Sequence, residues 1–233
     1  MAYVNPIPHS LPEPAGMHIP DGFVNAPVAA VGFVLAAAVL AFAVRKTNRD
    51  LQDRMVPLMG VMAAFIFAAQ MMNFPVAGGT SGHLIGGALA AILLGPWAAV
   101  IVMTCVVGVQ ALIFQDGGLA ALGVNTLNMA IVAVAVGYPV YRLLTLLGNG
   151  RPASRYIAGF AAAWLSVQCA ALFASFELAL SDTSPLEVAL PAMLGVHALI
   201  GIGEGLITVA ALAFIAATRR DLLFAREASL ETD

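Results

Sequence analysis

Residues 26–44 read APVAAVGFVLAAAVLAFAV, a run without a single charged side chain. A helix needs about 20 such residues to cross the hydrocarbon core of a bilayer. Six more apolar segments follow, at residues 55–73, 83–95, 96–114, 119–147, 156–180 and 188–217. The sequence therefore predicts an all-α membrane protein with seven transmembrane helices. The third segment is too short to cross upright, so we expect a broken or tilted helix that turns at Gly95-Pro96.

The composition excludes several classes of protein. Of the 233 residues, 61% are hydrophobic and 10% are charged, whereas about 25% of the residues in a soluble domain are charged. A net charge of −3 leaves no basic face for nucleic acid. Cys105 and Cys169 lie in apolar runs without a CxxC neighbour, so we expect small core residues rather than a disulfide or a metal pair.

The basic residues predict the orientation in the membrane. All ten Lys and Arg residues fall in three regions, at residues 45–54, 142–155 and 219–226. With seven crossings these regions share one side, which the positive-inside rule assigns to the cytoplasm. The N-terminus is then outside and the C-terminus cytoplasmic. If the third and fourth segments formed a single crossing, the later basic regions would lie outside, and we therefore prefer seven.

The chain divides into three regions. Residues 1–16 form a Pro-rich extension, residues 17–220 the seven-helix domain, and residues 221–233 a polar tail. The N-terminal stretch lacks both the basic start and the apolar run of a secretory signal. We therefore expect the extension to be an extended polar arm on the outer side.

His18 and His83 are the candidate metal ligands, because the predicted topology places both on the outer side. Imidazole nitrogen suits Ni, Co, Cu and Zn. Spacing alone leaves other interpretations open. His83 could be a helix-start residue bonded to a nearby carbonyl, and His18, like His9, could be a solvated residue of the arm.

Three motifs in order extend this interpretation. They are Met17-His18-Ile19-Pro20-Asp21-Gly22, then Thr80-Ser81-Gly82-His83-Leu84-Ile85-Gly86-Gly87 with Leu94-Gly95-Pro96-Trp97, and Gln115-Asp116-Gly117-Gly118-Leu119 with Gly123, Asn125, Asn128 and Met129. Together they resemble the signatures of the nickel and cobalt substrate-capture subunits of energy-coupling-factor (ECF) transporters. The resemblance covers residues 17–220.

The resemblance implies a seven-helix subunit whose N-terminal loop folds back into an outer cavity. It implies a nearly square-planar metal site made of the amine of Met17, the amide and imidazole of His18, and the imidazole of His83. Nitrogen donors of this kind favour planar Ni(II) or Cu(II) over Zn. The same motifs predict residues that support the loop and the ligands, namely Asp21, Gly22, Thr80, Ser81, Gly82, Asn125 and Asn128.

One departure from that pattern concerns Met17, which has no free amine because sixteen residues precede it. Three explanations remain: translation begins at Met17, the arm is cleaved, or a different fourth ligand completes the site. We expect a start at Met17, because the arm has no signal-peptide character and the motif keeps its methionine.

Other polar and small residues within the apolar segments allow further roles. Glu204 and His197 lie on the same face of the last segment and are candidates for a proton or ion relay, or for hydrogen bonds between helices. Gly60, Ala64 and Ala68 form a small-residue face. That face packs either within the chain or, as the resemblance suggests, against a partner transmembrane subunit.

These observations predict a transport subunit of the bacterial inner membrane and not an enzyme. The chain has no GxxxxGK[ST] phosphate loop and no HExxH motif. We expect no cofactor, Ni²⁺ or Co²⁺ as the transported ligand, and planar nitrogen chemistry that favours nickel. The expected partners are an energy-coupling transmembrane subunit, ATPase subunits and a small accessory membrane subunit. The alternative is a self-sufficient secondary transporter or channel that uses Glu204 and His197.

Overall fold

The computed structural model describes residues 18–50, 55–72, 74–75, 81–149, 151–219 and 222. Within these ranges the chain forms seven helices. They are α1 (Ala26–Asp50), α2 (Met55–Gln70), α3 (Gly87–Leu94), α4 (Pro96–Phe114), α5 (Leu122–Leu147), α6 (Pro152–Leu180) and α7 (Leu186–Thr218). The prediction of an all-α fold with seven helices is therefore confirmed for the described residues.

The helices differ in their capacity to cross a membrane. Five of them, α1, α4, α5, α6 and α7, are long and apolar enough to do so. The apolar helix α2 is shorter, with 16 residues. Two strands of two residues each, β1 (Phe74–Pro75) and β2 (Ser81–Gly82), pair antiparallel between α2 and α3, with Phe74 opposite Gly82.

Helix α3 is a short helix enclosed by the bundle. All of its 8 residues are buried, and it packs against α4, α5 and α6. A helix of this length rises about 12 Å, less than half of a bilayer core of about 30 Å. Its end at Gly95 and the start of α4 at Pro96 agree with the predicted turn. Irregular backbone at this depth is tolerated because the protein covers it.

Small residues bring α3 against the middle of α5. A Cβ atom on Gly87 would lie 2.7 Å from the Cβ of Ala133, and one on Gly137 would lie 2.7 Å from the Cβ of Ala88. Glycine at these positions allows the two backbones to approach. As a result the loop that precedes α3, and His83 with it, lies inside the bundle.

Three segments meet at one end of the bundle: the residues before α1 (18–25, called the arm from here on), the α4–α5 connection and the α6–α7 connection. The arm before α1 contacts the α6–α7 connection, because Asn25 Nδ2 donates to the Leu180 carbonyl (3.0 Å) and Thr183 Oγ1 donates to the Phe23 carbonyl (2.5 Å). The α4–α5 connection meets the same arm.

The described basic residues lie at the opposite end. Helices α1, α5 and α7 begin at the end that carries the arm and run away from it, whereas α6 runs toward it. The basic residues at the ends of α1, α5 and α7 and at the start of α6 therefore lie together at the other end. They are Arg45, Lys46, Arg49, Arg142, Arg151, Arg155 and Arg219. Which side of the membrane each end faces stays a prediction.

The small-residue face of α2 is exposed. Gly60, Ala64 and Ala68 are all accessible, and no heavy atom lies within 4 Å of the position that a Cβ on Gly60 would take. Packing against the described part of this chain therefore does not account for the face.

The prediction that both cysteines are core residues is wrong for Cys105. Cys105 is exposed on α4, and Cys169 is half-buried on α6. An apolar run does not tell whether a small residue faces other helices or the apolar surroundings of the bundle, since a thiol suits both.

Candidate metal centre

Three separate parts of the chain bring two imidazoles and one carboxylate together. His18 Nδ1 lies 2.9 Å from Asp116 Oδ1, and the ring centroids of His18 and His83 are 5.1 Å apart. One ligand atom from each of the three residues lies within 4.8 Å of the others. The histidines are each 2% exposed, whereas the Asp116 side chain is 22% exposed. The cluster is therefore enclosed around the imidazoles and open at the carboxylate.

Asn125 holds the arm next to His18. The Ile19 N–H donates to Asn125 Oδ1 (2.9 Å), and Asn125 Nδ2 donates to the Ile19 carbonyl (3.0 Å). The same carbonyl accepts a bond from the Gly118 N–H (3.0 Å). The peptide groups on either side of Ile19 are thus paired, which satisfies buried backbone and fixes the residue that follows His18.

Asp21 fixes the arm at a second point. Its carboxylate accepts hydrogen bonds from the N–H groups of Leu119 (3.1 Å), Ala120 (2.7 Å) and Ala121 (3.3 Å). These groups precede α5, where a negative side chain is favoured by the helix dipole. The arm is therefore held at Ile19 and at Asp21, both on the C-terminal side of His18.

The end of α4 directs Asp116 toward His18. The last turn of that helix, Gln110–Phe114, is π-helical, and the Asp116 N–H donates to the Gln110 carbonyl (3.1 Å). Gly117 has a φ of 93°, and a Cβ there would lie 2.7 Å from the Cβ of His18. Glycine at this position therefore allows both the turn and the close approach.

Asp116 opens onto a cavity of about 400 Å³. His18, Asp21, Ala111 and Gln115 are among the residues that line it. An ion that entered here would meet the Asp116 carboxylate before the buried imidazoles. Sequence reasoning did not select Asp116 as a ligand candidate, although its place in the Gln115-Asp116-Gly117-Gly118 motif and its predicted outer position are signals for it.

The hydrogen bonds of the two imidazoles define their free nitrogens. His83 Nδ1 lies 2.6 Å from the Leu84 carbonyl oxygen. Because a carbonyl only accepts, Nδ1 carries the proton, and Nε2 of the neutral ring keeps its lone pair. His18 Nδ1 likewise faces a carboxylate. Both Nε2 atoms are buried and have no hydrogen-bond partner among the described residues.

The protonation states suit a divalent cation. Burial, and next the nearby His18, lowers the pKa of His83 to about 4. The hydrogen bond from His18 lowers the pKa of Asp116 below its ordinary value. Near neutral pH the centre therefore contains a neutral imidazole at His83 and an ionised carboxylate. Imidazole nitrogens with one carboxylate oxygen are ligands that first-row transition metals accept.

The remaining predicted site residues have other partners or lie elsewhere. Asn128 Nδ2 donates to Glu177 Oε2 (2.5 Å), and Asn128 makes no hydrogen bond to the described part of the arm, residues 18–25. His197 Nδ1 lies 2.7 Å from the Met193 carbonyl of its own helix. Glu204 accepts bonds from backbone N–H groups next to His83 and shares none with His197.

Two predicted site residues, Met17 and Thr80, lie outside the described residues, as do residues 1–16 and 223–233. The backbone of Ser81 and Gly82 forms β2. Gly22 follows Asp21 in the turn that leads to α1.

Comparison with known proteins identifies the family. The chain is 44% identical over 209 residues to a putative fused nickel transport protein named NikMN in Archaeoglobus fulgidus. That match covers 89% of this chain and 68% of that protein. It is 37% identical to the fused nickel transport protein NikMN of Rhodobacter capsulatus, over 91% of this chain and 65% of that protein. A solved structure of a truncated transition metal transporter matches with a TM-score of 0.77 and 36% identity, over 86% of this chain and 99% of that one.

A family model described as the cobalt uptake substrate-specific transmembrane region matches residues 18–222. The match includes all seven helices. With its five apolar helices of membrane-spanning length, the chain is a multi-pass membrane protein. It belongs to the CbiM family of cobalt uptake substrate-specific transmembrane regions.

Proposed function

We propose that this protein is the substrate-binding membrane subunit of an ATP-driven uptake system of the ECF type, and that it captures Ni²⁺ or Co²⁺ at the outer face of the membrane. The observation that carries the proposal is the convergence of His18, His83 and Asp116 from three distant segments. The family description names cobalt uptake, and the relative from Rhodobacter capsulatus is named for nickel transport.

The distribution of charge supports capture from outside. The described basic residues lie at the end of the bundle opposite to the arm and to the α4–α5 and α6–α7 connections. Under the positive-inside rule the basic end faces the cytoplasm. The cavity that leads to Asp116 then opens to the exterior, on a surface where Asp21 and Asp116 are the nearby charges.

The ligand set depends on the N-terminus. A chain that begins at Met17 offers its amine, the His18 amide, His18 Nδ1 and His83 Nε2, which together make a planar set of four nitrogens. In this set the ion, the His18 amide nitrogen and His18 Nδ1 belong to one six-membered chelate ring, which Nε2 of the same residue cannot form. The ion would therefore replace the proton between His18 Nδ1 and Asp116. In a chain with an internal Met17, His18 binds through its ring alone and Asp116 is the nearest remaining donor.

Energy for transport comes from other subunits in this proposal. A capture subunit needs no catalytic residue, and ATP hydrolysis belongs to separate ATPase subunits linked through an energy-coupling membrane subunit. The exposed face of Gly60, Ala64 and Ala68 on α2 is the proposed contact with that coupling subunit, because small residues allow helices to pack closely.

A metal-uptake assay tests the proposal. Cells that express the protein with and without its partner subunits are compared for wild type, His18→Ala and His83→Ala, with His197→Ala as a histidine control outside the cluster. We expect uptake to require the partner subunits and both cluster histidines. Normal uptake by both cluster variants would remove the site from consideration. Uptake without ATPase subunits, lost in His197→Ala, would support a secondary carrier instead.

A further inference from the structure

The loop that carries His83 is held from two sides. We call residues 83–86 the His83 loop; all four are buried. The Ile85 N–H donates to Glu204 Oε2 (2.7 Å) and the Gly86 N–H donates to Glu204 Oε1 (2.9 Å). From the other side Gln70 Nε2 donates to the Ile85 carbonyl (2.6 Å). Both polar backbone groups of Ile85 are therefore bound by side chains from other helices.

Burial makes these bonds important for the position of the loop. Glu204 is 0% exposed and Gln70 is 1% exposed. A buried carboxylate is tolerated only when its oxygens are hydrogen-bonded, and here each oxygen accepts one backbone N–H. Loss of either partner would leave buried polar groups unpaired, which costs about 1–3 kcal/mol per group.

The backbone of the loop has little freedom to move elsewhere. Gly86 has a φ of 81°, and a Cβ atom on it would lie 2.9 Å from Ile66 Cγ2. Ile66 and Gln70 are both on α2, one helical turn apart. The loop is thus seated against α2 and bonded to α7, while α2 packs on α3 and α4 and α7 packs on α6.

We propose that Glu204 and Gln70 form a clamp that positions His83 for metal binding, an inference that rests on the proposed function. Glu204 in this proposal is a positioning residue and not a relay residue. It holds the two N–H groups that follow Leu84, and the Leu84 carbonyl in turn holds His83 Nδ1. The direction of the His83 Nε2 lone pair is therefore set by contacts that run from Glu204 on α7 through the loop backbone to the His83 ring.

The test uses Glu204→Gln in the full-length protein, purified and reconstituted in nanodiscs. The substitution keeps the size of the side chain but offers one acceptor oxygen where two N–H groups need one each. Glu177→Gln is the matched control, because Glu177 is also a buried carboxylate and its hydrogen bond goes to Asn128, away from the loop. Three quantities are measured: Ni²⁺ and Co²⁺ affinity by calorimetry, amide hydrogen exchange at residues 83–87, and the visible spectrum of the Co²⁺-loaded protein.

We expect Glu204→Gln to weaken metal binding by about 10-fold to 100-fold, as removal of the groups that orient a ligand usually does. Exchange at Ile85 and Gly86 should accelerate, the Co²⁺ spectrum should shift, and Glu177→Gln should change none of the three. Gln70→Met releases the loop from the α2 side and should act in the same direction. It also provides the test if Glu204→Gln does not fold.

Three outcomes would overturn the clamp. They are faster exchange at Ile85 with unchanged metal affinity, unchanged exchange in both variants, and a Glu204→Gln protein that keeps wild-type affinity and exchange but loses transport in the uptake assay described above, which would mark Glu204 as a relay. A failure of the proposed function looks different, because His83→Ala would then bind Ni²⁺ and Co²⁺ as tightly as the wild type. That measurement is made in the same series.

Discussion

The imidazole Nδ1 of His18 lies 2.9 Å from the carboxylate of Asp116, and four helices, α1 to α4, separate the two residues in the sequence. The contact explains how a histidine of the N-terminal arm is kept inside the bundle. It also brings a negative charge to the point where the two imidazoles meet. Under the proposed function, metal capture and the position of the arm therefore depend on the same carboxylate.

Replacement of Asp116 should weaken metal binding. Asp116→Asn keeps the shape of the side chain and removes its negative charge, so the affinity for Ni²⁺ and Co²⁺ should fall by about 10-fold to 100-fold. Calorimetric titration measures the change. Asp182→Asn is the control, because Asp182 is an exposed acid on the α6–α7 connection at the same end of the bundle. Equal losses in both variants would show a general effect of charge and not a role at the centre.

The stability of the metal-free protein should fall as the pH falls from about 6.5 to about 4. The pKa of His83 is lowered from 6.5 to about 4 by burial, so in this window the unfolded state binds a proton that the folded state does not. Stability then decreases with decreasing pH, by up to about 3 kcal/mol for a shift of this size.

Thermal unfolding in detergent between pH 7 and pH 4 measures this loss. His83→Gln lacks the titrating group, so its melting temperature should change less over the same range. Parallel pH profiles for the two proteins would contradict the assignment to His83.

Asn125 should be required for docking of the arm. Asn125→Leu removes both hydrogen bonds to Ile19, at a cost of about 1–3 kcal/mol for the buried groups left unpaired. Amide hydrogen exchange at Ile19 should accelerate and metal affinity should fall with it. Asn128→Leu is the matched control, since Asn128 bonds Glu177 and has no bond to Ile19. An arm that exchanges equally fast in both variants would rule out a specific role of Asn125.

The N-terminus should decide the geometry of bound nickel. Protein that begins at Met17 offers four nitrogens, and its Ni²⁺ complex should be planar and diamagnetic. Protein that keeps residues 1–16 should give a paramagnetic complex with a different visible spectrum. Intact mass of the metal-loaded, active protein from its native host identifies the form that occurs. A mass that includes residues 1–16 would refute the start at Met17.

The exposed face of α2 should matter for transport and not for binding. Ala64→Leu adds bulk to the face of Gly60, Ala64 and Ala68, so uptake with the partner subunits should fall while the affinity of the purified protein stays the same. Ala41→Leu makes the same change at an exposed position of α1 and should leave uptake unaffected. If the two variants lost uptake equally, the partner face would lie elsewhere.

Sequence reasoning predicted more of the fold than of the candidate metal centre. The seven helices and the turn at Gly95-Pro96 follow from apolar run length and from the local effects of Gly and Pro. The same reasoning selected His18 and His83, which the structure brings together. It predicted that Asn128 supports the arm, whereas in the structure Asn128 donates a hydrogen bond to Glu177. It also considered Glu204 beside His197, although Glu204 faces the His83 loop.

The sequence by itself determined the number of helices, their apolar character and the separation of charge between the two ends. These properties are local and add up along the chain, because each segment must satisfy its own backbone and suit its own surroundings. Only the tertiary structure decided that Asp116 joins His18 and His83, and that Glu204 and Gln70 hold the loop between them. Such contacts depend on how helices cross, and small residues such as Gly123 and Gly137 determine those crossings through contacts with distant parts of the chain.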